Sequence, residues 1–312
     1  MKKRRPISLG VYPWIADTVF QLATNSTPPV MVQFREEILA EKTRAEQREA
    51  ATHWPDRVAL EEGQMEDGTW TPEVPETEAE EQEIYLDVTR KLLHLHDLGV
   101  RRDADVVRLA VDYLGTVQDE DGSFPLSIHH TALTLYVLAM FGLGKSPVAK
   151  RTIRFLDRMR RRDSGWLDPS LEPALHEDPD APSCAWTTLH VTLAMTEIPD
   201  LRRSMDVRRA AVFLLDRMFK RNHQSFFGHP DHWRELDYDY ETTACFKWAV
   251  PKMLLILGRL GCGPETKEVS DLLDFLRKTL RPSGRWGANQ EGSDALTLRI
   301  LRALMAVQEA GA

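Results

Sequence analysis

Three acidic side chains fall close together near residue 240. Asp237, Asp239 and Glu241 alternate with Tyr238 and Tyr240. Burial and a second carboxylate nearby both favour the protonated form of a carboxylic acid. Asp239 and Glu241 could therefore form a pair in which one carboxyl group donates a proton. The competing interpretation is that they begin a helix, where the positive end of the helix dipole favours the ionised form.

Two adjacent histidines, His129 and His130, are a second place where chemistry could occur. Neighbouring residues of a helix point about 100° apart, so both imidazoles cannot easily face one metal ion. We expect one ring to line a binding site and the other to pack. Five aromatic residues could bound an apolar pocket, although each would also suit a plain core: Tyr136, Trp186, Tyr240, Trp248 and Trp286.

Amphipathic helices must position these residues. Apolar side chains recur at the helical spacing i, i+3, i+4, i+7, as in Val107, Ala110, Val111 and Leu114, whereas patterns of period two are scarce. Short turns punctuate the helices. The sequences 64–70 and 118–124 share Gln, three residues, Gly, one residue and an aromatic residue, and weaker copies lie at 163–166, 224–228 and 282–286. The repeating unit is therefore helix, turn, helix.

These turns resemble the QW-type repeats of the squalene cyclase and protein prenyltransferase superfamily, over roughly residues 85–307. The resemblance implies an all-α fold, an α/α toroid of five to six helix hairpins whose inner helices line a central cavity. Small single-barrel bacterial members are the most similar. We expect one domain over 1–312, with a degenerate helix pair in 1–60, an acidic loop at 61–83 and the main repeats in 84–312.

Class II terpene cyclases carry Asp-x-Asp-Asp-Thr-Ala at the start of an inner helix, and the middle Asp donates the proton. Three positions of this sequence match that motif: Asp239, Thr243 and Ala244. Glu241 stands where the donor would be, and Thr242 replaces the third Asp. The resemblance implies that Asp239 and Glu241, with Asp237, are catalytic. It also implies that the five aromatic residues and the two histidines bind an isoprenoid-like substrate, with ring faces stabilising carbocations.

Two other functions remain open. Protein prenyltransferases bind zinc through an Asp, a Cys two residues later and a distant His. A weaker alternative is therefore a zinc-dependent prenyltransferase-like subunit with Asp239, Cys245 and His129 as ligands, although Thr243 stands two residues before the Cys. The decay of both motifs favours a non-catalytic scaffold or lipid-binding module. We expect no cofactor for a cyclase, with zinc or magnesium as the alternative.

The composition restricts the partners. The 312 residues are 42% hydrophobic and 28% charged, as in soluble globular proteins, and the net charge of −8 does not suggest a nucleic-acid partner. Three cysteines without disulfide or zinc-ribbon spacing favour a cytoplasmic setting. The basic run Lys2–Arg5 precedes a stretch too polar for a signal peptide, and peripheral contact with an anionic membrane is its alternative role. The sequence does not define the oligomeric state.

Overall fold

The structure, a computed structural model, describes residues 5–72, 74–168, 178, 180–218, 233–241 and 247–312. In these residues the regular structure is helical, apart from two isolated β-bridges, Trp166–Cys184 and Trp286–Ser293. The predicted all-α class is therefore confirmed. The chain forms two compact units. One comprises Met1–Ala59, Asp97–Gly99 and Arg234–Ala312, and the other comprises Leu60–His96 and Val100–Trp233.

Fourteen α-helices are described, and they are numbered here in chain order. In the N-terminal half they are α1 (Ala16–Asn25), α2 (Pro28–Gln33), α3 (Ala45–Thr52), α4 (Pro55–Glu62), α5 (Glu78–Asp97), α6 (Asp105–Thr116), α7 (Ile128–Met140) and α8 (Pro147–Arg158). A 3₁₀ turn, Pro13–Ile15, precedes α1, and a π-helical turn, Phe34–Ile38, continues α2. In the C-terminal half they are α9 (Ala185–Glu197), α10 (Pro199–Arg202), α11 (Met205–Leu215), α12 (Ala249–Arg259), α13 (Lys267–Thr279) and α14 (Asp294–Ala310).

The helices divide into fully and partly buried ones. Helix α9 is buried along nearly its whole length, whereas α8 buries one apolar stripe and exposes the rest. A helix that is buried on all sides lies inside a layer of amphipathic helices. In the second unit α7 packs against both α8 and α9, and in the first unit α12 packs against α13 and α14. Each unit thus has the inner and outer layers expected of helix hairpins.

The backbone geometry of the two Gln-containing turns requires the glycine of the repeated pattern. Gly68 and Gly122 have φ of 89° and 97°, a conformation that side chains with a Cβ rarely adopt. At each position an added Cβ would also collide with a backbone carbonyl, that of Leu109 or Arg151. Gln118 Nε2 donates to the Gly122 carbonyl at 3.1 Å and to the Val148 carbonyl at 3.2 Å. The glutamine therefore ties its turn to the start of the next outer helix.

The tryptophans of the turns make one repeated bond. Trp70, Trp166 and Trp286 each donate the indole N–H to a carbonyl ten residues earlier, at 2.7–2.8 Å. In the two copies that lack Gln, the backbone still closes the turn: the N–H groups of Arg161 and Arg281 donate to the carbonyls four residues later, at 3.0 and 2.9 Å. The weaker copies at 163–166 and 282–286 thus keep a hydrogen-bonded turn without the glutamine.

The acidic loop is shorter than 61–83. Helix α4 extends to Glu62, and α5 begins at Glu78. A capping box explains this start: Glu80 accepts the N–H of Thr77 at 3.1 Å, and the Thr77 hydroxyl accepts the N–H of Glu80 at 3.3 Å. Bonds from the backbone N–H groups of Glu76 and Thr77 hold the pKa of Glu80 below its usual value.

Among the described helices, none combines the length and the apolar character that a membrane span needs.

Candidate functional site

The acidic segment, Asp237–Glu241, does not form a helix. The motif resemblance predicted that these acids begin an inner helix, but the helix described in this region, α12, begins at Ala249. The chain turns at Tyr240 and Glu241, and from Tyr238 to Glu241 the side chains alternate in exposure. Tyr238 and Tyr240 are half-buried and their hydroxyls point to one partner, whereas Asp239 and Glu241 are exposed. Thr242, Thr243, Ala244 and Cys245, which carried the motif resemblances, lie outside the described residues.

The partner of both tyrosines is Asp97, the last residue of α5. The hydroxyls of Tyr238 and Tyr240 each donate to Asp97 Oδ2 at 2.6 Å. Arg299 of α14 donates through Nη2 to Oδ1 at 2.6 Å and through Nε to Oδ2 at 3.3 Å. The side chains of Asp97 and Arg299 are both only 4% exposed. Burial and the neighbouring Asp97 carboxylate raise the pKa of Tyr240 well above its usual value. We call these four residues the Asp97 network.

Aromatic rings and a second cation extend this network. The Arg299 guanidinium lies 5.5 Å from the ring centroids of both Tyr238 and Trp248. Lys252 is fully buried in the first turn of α12, and its Nζ lies 4.9 Å from the Trp248 ring. Cations over ring faces are attracted by the ring quadrupole. Tyr240 and Trp248, which we predicted to bind substrate, thus have charged neighbours as well as apolar ones.

The acids of the segment differ in exposure. Asp237 is half-buried, and its N–H donates to the Lys247 carbonyl at 3.1 Å. Asp239 Oδ1 accepts the N–H of Glu241 at 3.1 Å, and both of these side chains are exposed. Neither Asp239 nor Glu241 has the burial that we expected of a protonated donor. The bonds from Tyr238 and Tyr240 to Asp97 explain this, because they turn the tyrosines inward and leave Asp239 and Glu241 facing outward.

The two predicted histidines lie in the first turn of α7, in the second unit. Ser127 caps α7, and its Oγ lies 2.7 Å from Nδ1 of His130. The N–H of His129 donates to Oδ2 of the fully buried Asp168 at 3.1 Å. Burial lowers the pKa of His130 to about 4, although the Asp168 charge opposes that shift. The imidazole of His130 is therefore neutral at physiological pH.

A third histidine completes this cluster. The His129 ring centroid lies 4.4 Å from that of His130, 4.8 Å from His190 and 5.6 Å from Trp186. Nδ1 of His190 lies 3.0 Å from the Trp186 carbonyl, which can only accept, so we assign the proton to Nδ1. We did not predict His190. The signal that could have found it is its position four residues after Trp186, on the same face of one helix.

Of the remaining predicted residues, two belong to the core and one, Cys245, lies outside the described residues. Tyr136 is buried in α7, and Trp286 is buried in a turn, where its ring meets Trp14 edge-on at 6.0 Å. Within the described ranges no group of three or more His, Cys, Asp or Glu side chains is arranged to hold a metal ion. The zinc alternative also requires Cys245, which lies outside those ranges, so it stays a prediction.

A cavity of about 540 Å³ lies in the second unit beside α5, where Thr71 and residues 74–76 form its other wall. Its lining combines four carboxylates, one guanidinium and a few apolar groups: Thr71, Val74, Pro75, Glu76, Glu80, Glu83, Ile84, Asp87 and Arg90. The charges are largely paired, since Arg90 bonds Glu83 and Lys91 bonds Asp87, at 2.8 and 2.7 Å. The volume suits a small molecule, but this lining is too polar for a bare hydrocarbon chain.

Sequence comparison gives no match to a protein-family model or to a curated protein. Structural comparison does. The type II terpene cyclase MstE from Scytonema, without ligand, superposes with a TM-score of 0.51 at 14% identity, over 98% of this chain and 99% of that chain. A single-residue variant of MstE in complex with its substrate, geranylgeranyl dihydroxybenzoate, gives 0.51 at 12% identity, over 96% and 97%. The chain therefore has the α/α-barrel fold of type II terpene cyclases.

Proposed function

We propose that the protein binds an isoprenoid chain and cyclises it by protonation, as a class II terpene cyclase does. The observation that carries this proposal is the extent of the shared fold. The likeness to MstE covers nearly all of both chains, and one of the MstE structures holds a geranylgeranyl substrate. We extend that class of ligand, a polyene chain on a polar head group, to this protein.

The reaction would be an isomerisation. A carboxyl group transfers its proton to one carbon of a terminal alkene, and the alkene's electron pair forms the new C–H bond. The resulting cation is attacked by the next alkene, which closes a ring and moves the charge along the chain. Loss of a proton from a carbon beside the final cation forms a new alkene. Substrate and product therefore have the same mass.

We place the proton donor among Asp237, Asp239 and Glu241. Asp237 is the least exposed of the three. Asp239 and Glu241 are open to water, so they would need the bound substrate to exclude it. A hydrocarbon lying over a carboxylate removes solvent and favours the protonated acid. The proposed donor would thus become competent only when the chain is bound.

We place part of the substrate-binding surface at His129, His130 and Trp186. The two histidines are half-buried, and the ring of His129 lies between that of His130 and the indole of Trp186, in contact with both. Because His130 is uncharged at physiological pH, this surface combines neutral imidazole with an aromatic ring. Such groups suit an unsaturated chain better than a charged wall would. Tyr136, Trp248 and Trp286 are almost fully buried, and Tyr240 donates its hydroxyl to Asp97, so these four residues are weaker candidates.

The test is incubation of the purified protein with geranylgeranyl dihydroxybenzoate and with unsubstituted polyprenyl alcohols. Liquid chromatography with mass spectrometry should show a product of unchanged mass and new retention time, with fewer alkene protons by NMR. Asp237→Asn, Asp239→Asn and Glu241→Gln identify the donor, and Asp112→Asn, an exposed carboxylate on α6, is the matched control. Failure of the wild type to convert any of these substrates would refute the cyclase proposal.

A second candidate function is isoprenoid binding without catalysis. The exposure of Asp239 and Glu241 favours it, because neither acid is buried as a donor should be. Native mass spectrometry distinguishes the two functions. A bound lipid that is recovered chemically unchanged after long incubation indicates a binding module, whereas an isomerised lipid indicates the enzyme.

A further inference from the structure

We infer that Asp97 is a positioning residue for the acidic segment. It holds Tyr238 and Tyr240 inward, and this leaves Asp239 and Glu241 exposed. The inference rests on the proposed function, because it concerns the segment in which we place the proton donor. It assigns a role to a residue that is about 140 positions away in the sequence.

Asp97 is poorly placed for the stability of its own helix. It is the last residue of α5, where the helix dipole disfavours a negative charge. Its carboxylate is also buried, and moving a charge out of water is costly unless it is paired and hydrogen-bonded. Arg299 and the two phenols supply that compensation at 2.6 Å each. The charge at Asp97 is thus explained by what it holds, not by the helix that carries it.

The two tyrosine bonds define the conformation of the segment. In a helix, residues two apart point about 200° away from each other. Tyr238 and Tyr240 could not then donate to one oxygen atom of Asp97, as they do. In a strand-like chain, residues two apart share a face. The pair of bonds to Asp97 Oδ2 therefore excludes the helical first turn that the sequence pattern suggested.

The same alternation arranges the acids. Asp239 and Glu241 are exposed, whereas Asp237 is half-buried like the tyrosines, and the chain turns at Tyr240 and Glu241. Two further bonds hold them: the Asp237 N–H to the Lys247 carbonyl, and the Glu241 N–H to Asp239 Oδ1, both at 3.1 Å. Releasing the tyrosines would free the backbone of the segment, and Asp239 and Glu241 would lose their fixed orientation.

The experiment compares the full-length wild type with the double variant Tyr238→Phe/Tyr240→Phe. This variant removes both O–H donors but keeps the rings and the Asp97–Arg299 pair, so the fold should survive. Tyr113→Phe is the matched control, because this half-exposed tyrosine lies on α6. The first measurement is hydrogen–deuterium exchange of a peptide covering residues 233–241. The second is kcat and KM for isomer formation.

We expect exchange in this peptide to rise about tenfold in the double variant and kcat to fall about tenfold or more, with KM changed less than threefold, since small misplacements of a catalytic group lower the rate strongly. Tyr113→Phe should change neither quantity. Unchanged exchange in the double variant would overturn the inference, with or without activity. So would raised exchange with unchanged kcat. Absence of isomer formation by the wild type would refute the proposed function instead, and exchange would then decide whether Asp97 anchors the segment.

Discussion

Replacing Asp97 by Asn should destabilise the first unit strongly. Asparagine has nearly the same volume and its carbonyl can still accept a phenol O–H, so packing changes little. The charge is lost, however, and the Arg299 guanidinium, whose side chain is only 4% exposed, loses its ion pair with Asp97. Leaving one member of a buried ion pair alone typically costs about 3–5 kcal/mol. Because the amide oxygen retains part of the bonding, we expect a loss near the lower end, about 3 kcal/mol.

Urea unfolding measures this loss. Circular dichroism and tryptophan fluorescence should be followed together, because a chain with two compact units need not unfold in one step. The partner variant is Arg299→Met, and the double variant closes a double-mutant cycle. Its loss should be smaller than the sum of the two single losses by at least about 1 kcal/mol, as for residues in direct contact. A loss below about 1 kcal/mol for Asp97→Asn, or strictly additive losses, would refute the energetic account of the network.

Three further outcomes follow from the local geometry. Gly122→Ala should lower the free energy of unfolding by more than about 1 kcal/mol, because of its positive φ and the nearby Arg151 carbonyl; Gly261→Ala, with positive φ but open space, should cost less in the same thermal denaturation assay. Trp286→Phe should cost about 1 kcal/mol through loss of the bond to the Leu276 carbonyl, and an unchanged melting temperature would contradict this. The pKa of His130 is lowered from 6.5 to about 4. As pH falls through this window the unfolded chain takes up the proton first, so the free energy of unfolding should decline by about 3 kcal/mol. His130→Gln should make the free energy of unfolding depend less on pH in this range. An NMR titration that gives His130 a pKa near 6.5 would disprove the prediction.

The helices and turns could be predicted because their causes are local. Apolar side chains at helical spacing and a glycine beside an aromatic residue each act within about ten residues, as the bond from Trp166 to Leu156 illustrates. These features gave the correct fold class. Even the boundary at Glu78 had a local signal, the Thr77 and Glu80 capping pair, which we read as part of a loop.

The acidic segment could not be predicted in the same way. Its conformation depends on Asp97, and no local pattern links residues 141 positions apart. The alternation of Tyr238 and Tyr240 was the available signal for a strand-like chain, but the resemblance to a helix-initiating motif suggested otherwise. His190 was missed for a similar reason: the neighbours that define its role, His129 and Trp186, lie on two helices.

The two β-bridges bear on how the protein could be lengthened. Trp166 and Cys184 pair at 2.8 Å although 18 positions separate them, whereas Trp286 and Ser293 pair at 2.7 Å across only seven. Both connections thus begin and end at fixed points, and doubling the length of a flexible connection costs only about 0.6 kcal/mol. A peptide or small domain grafted between Trp286 and Ser293 should therefore be accepted without disturbing the helices on either side. The connection that follows the last turn is therefore a site where new sequence can be inserted.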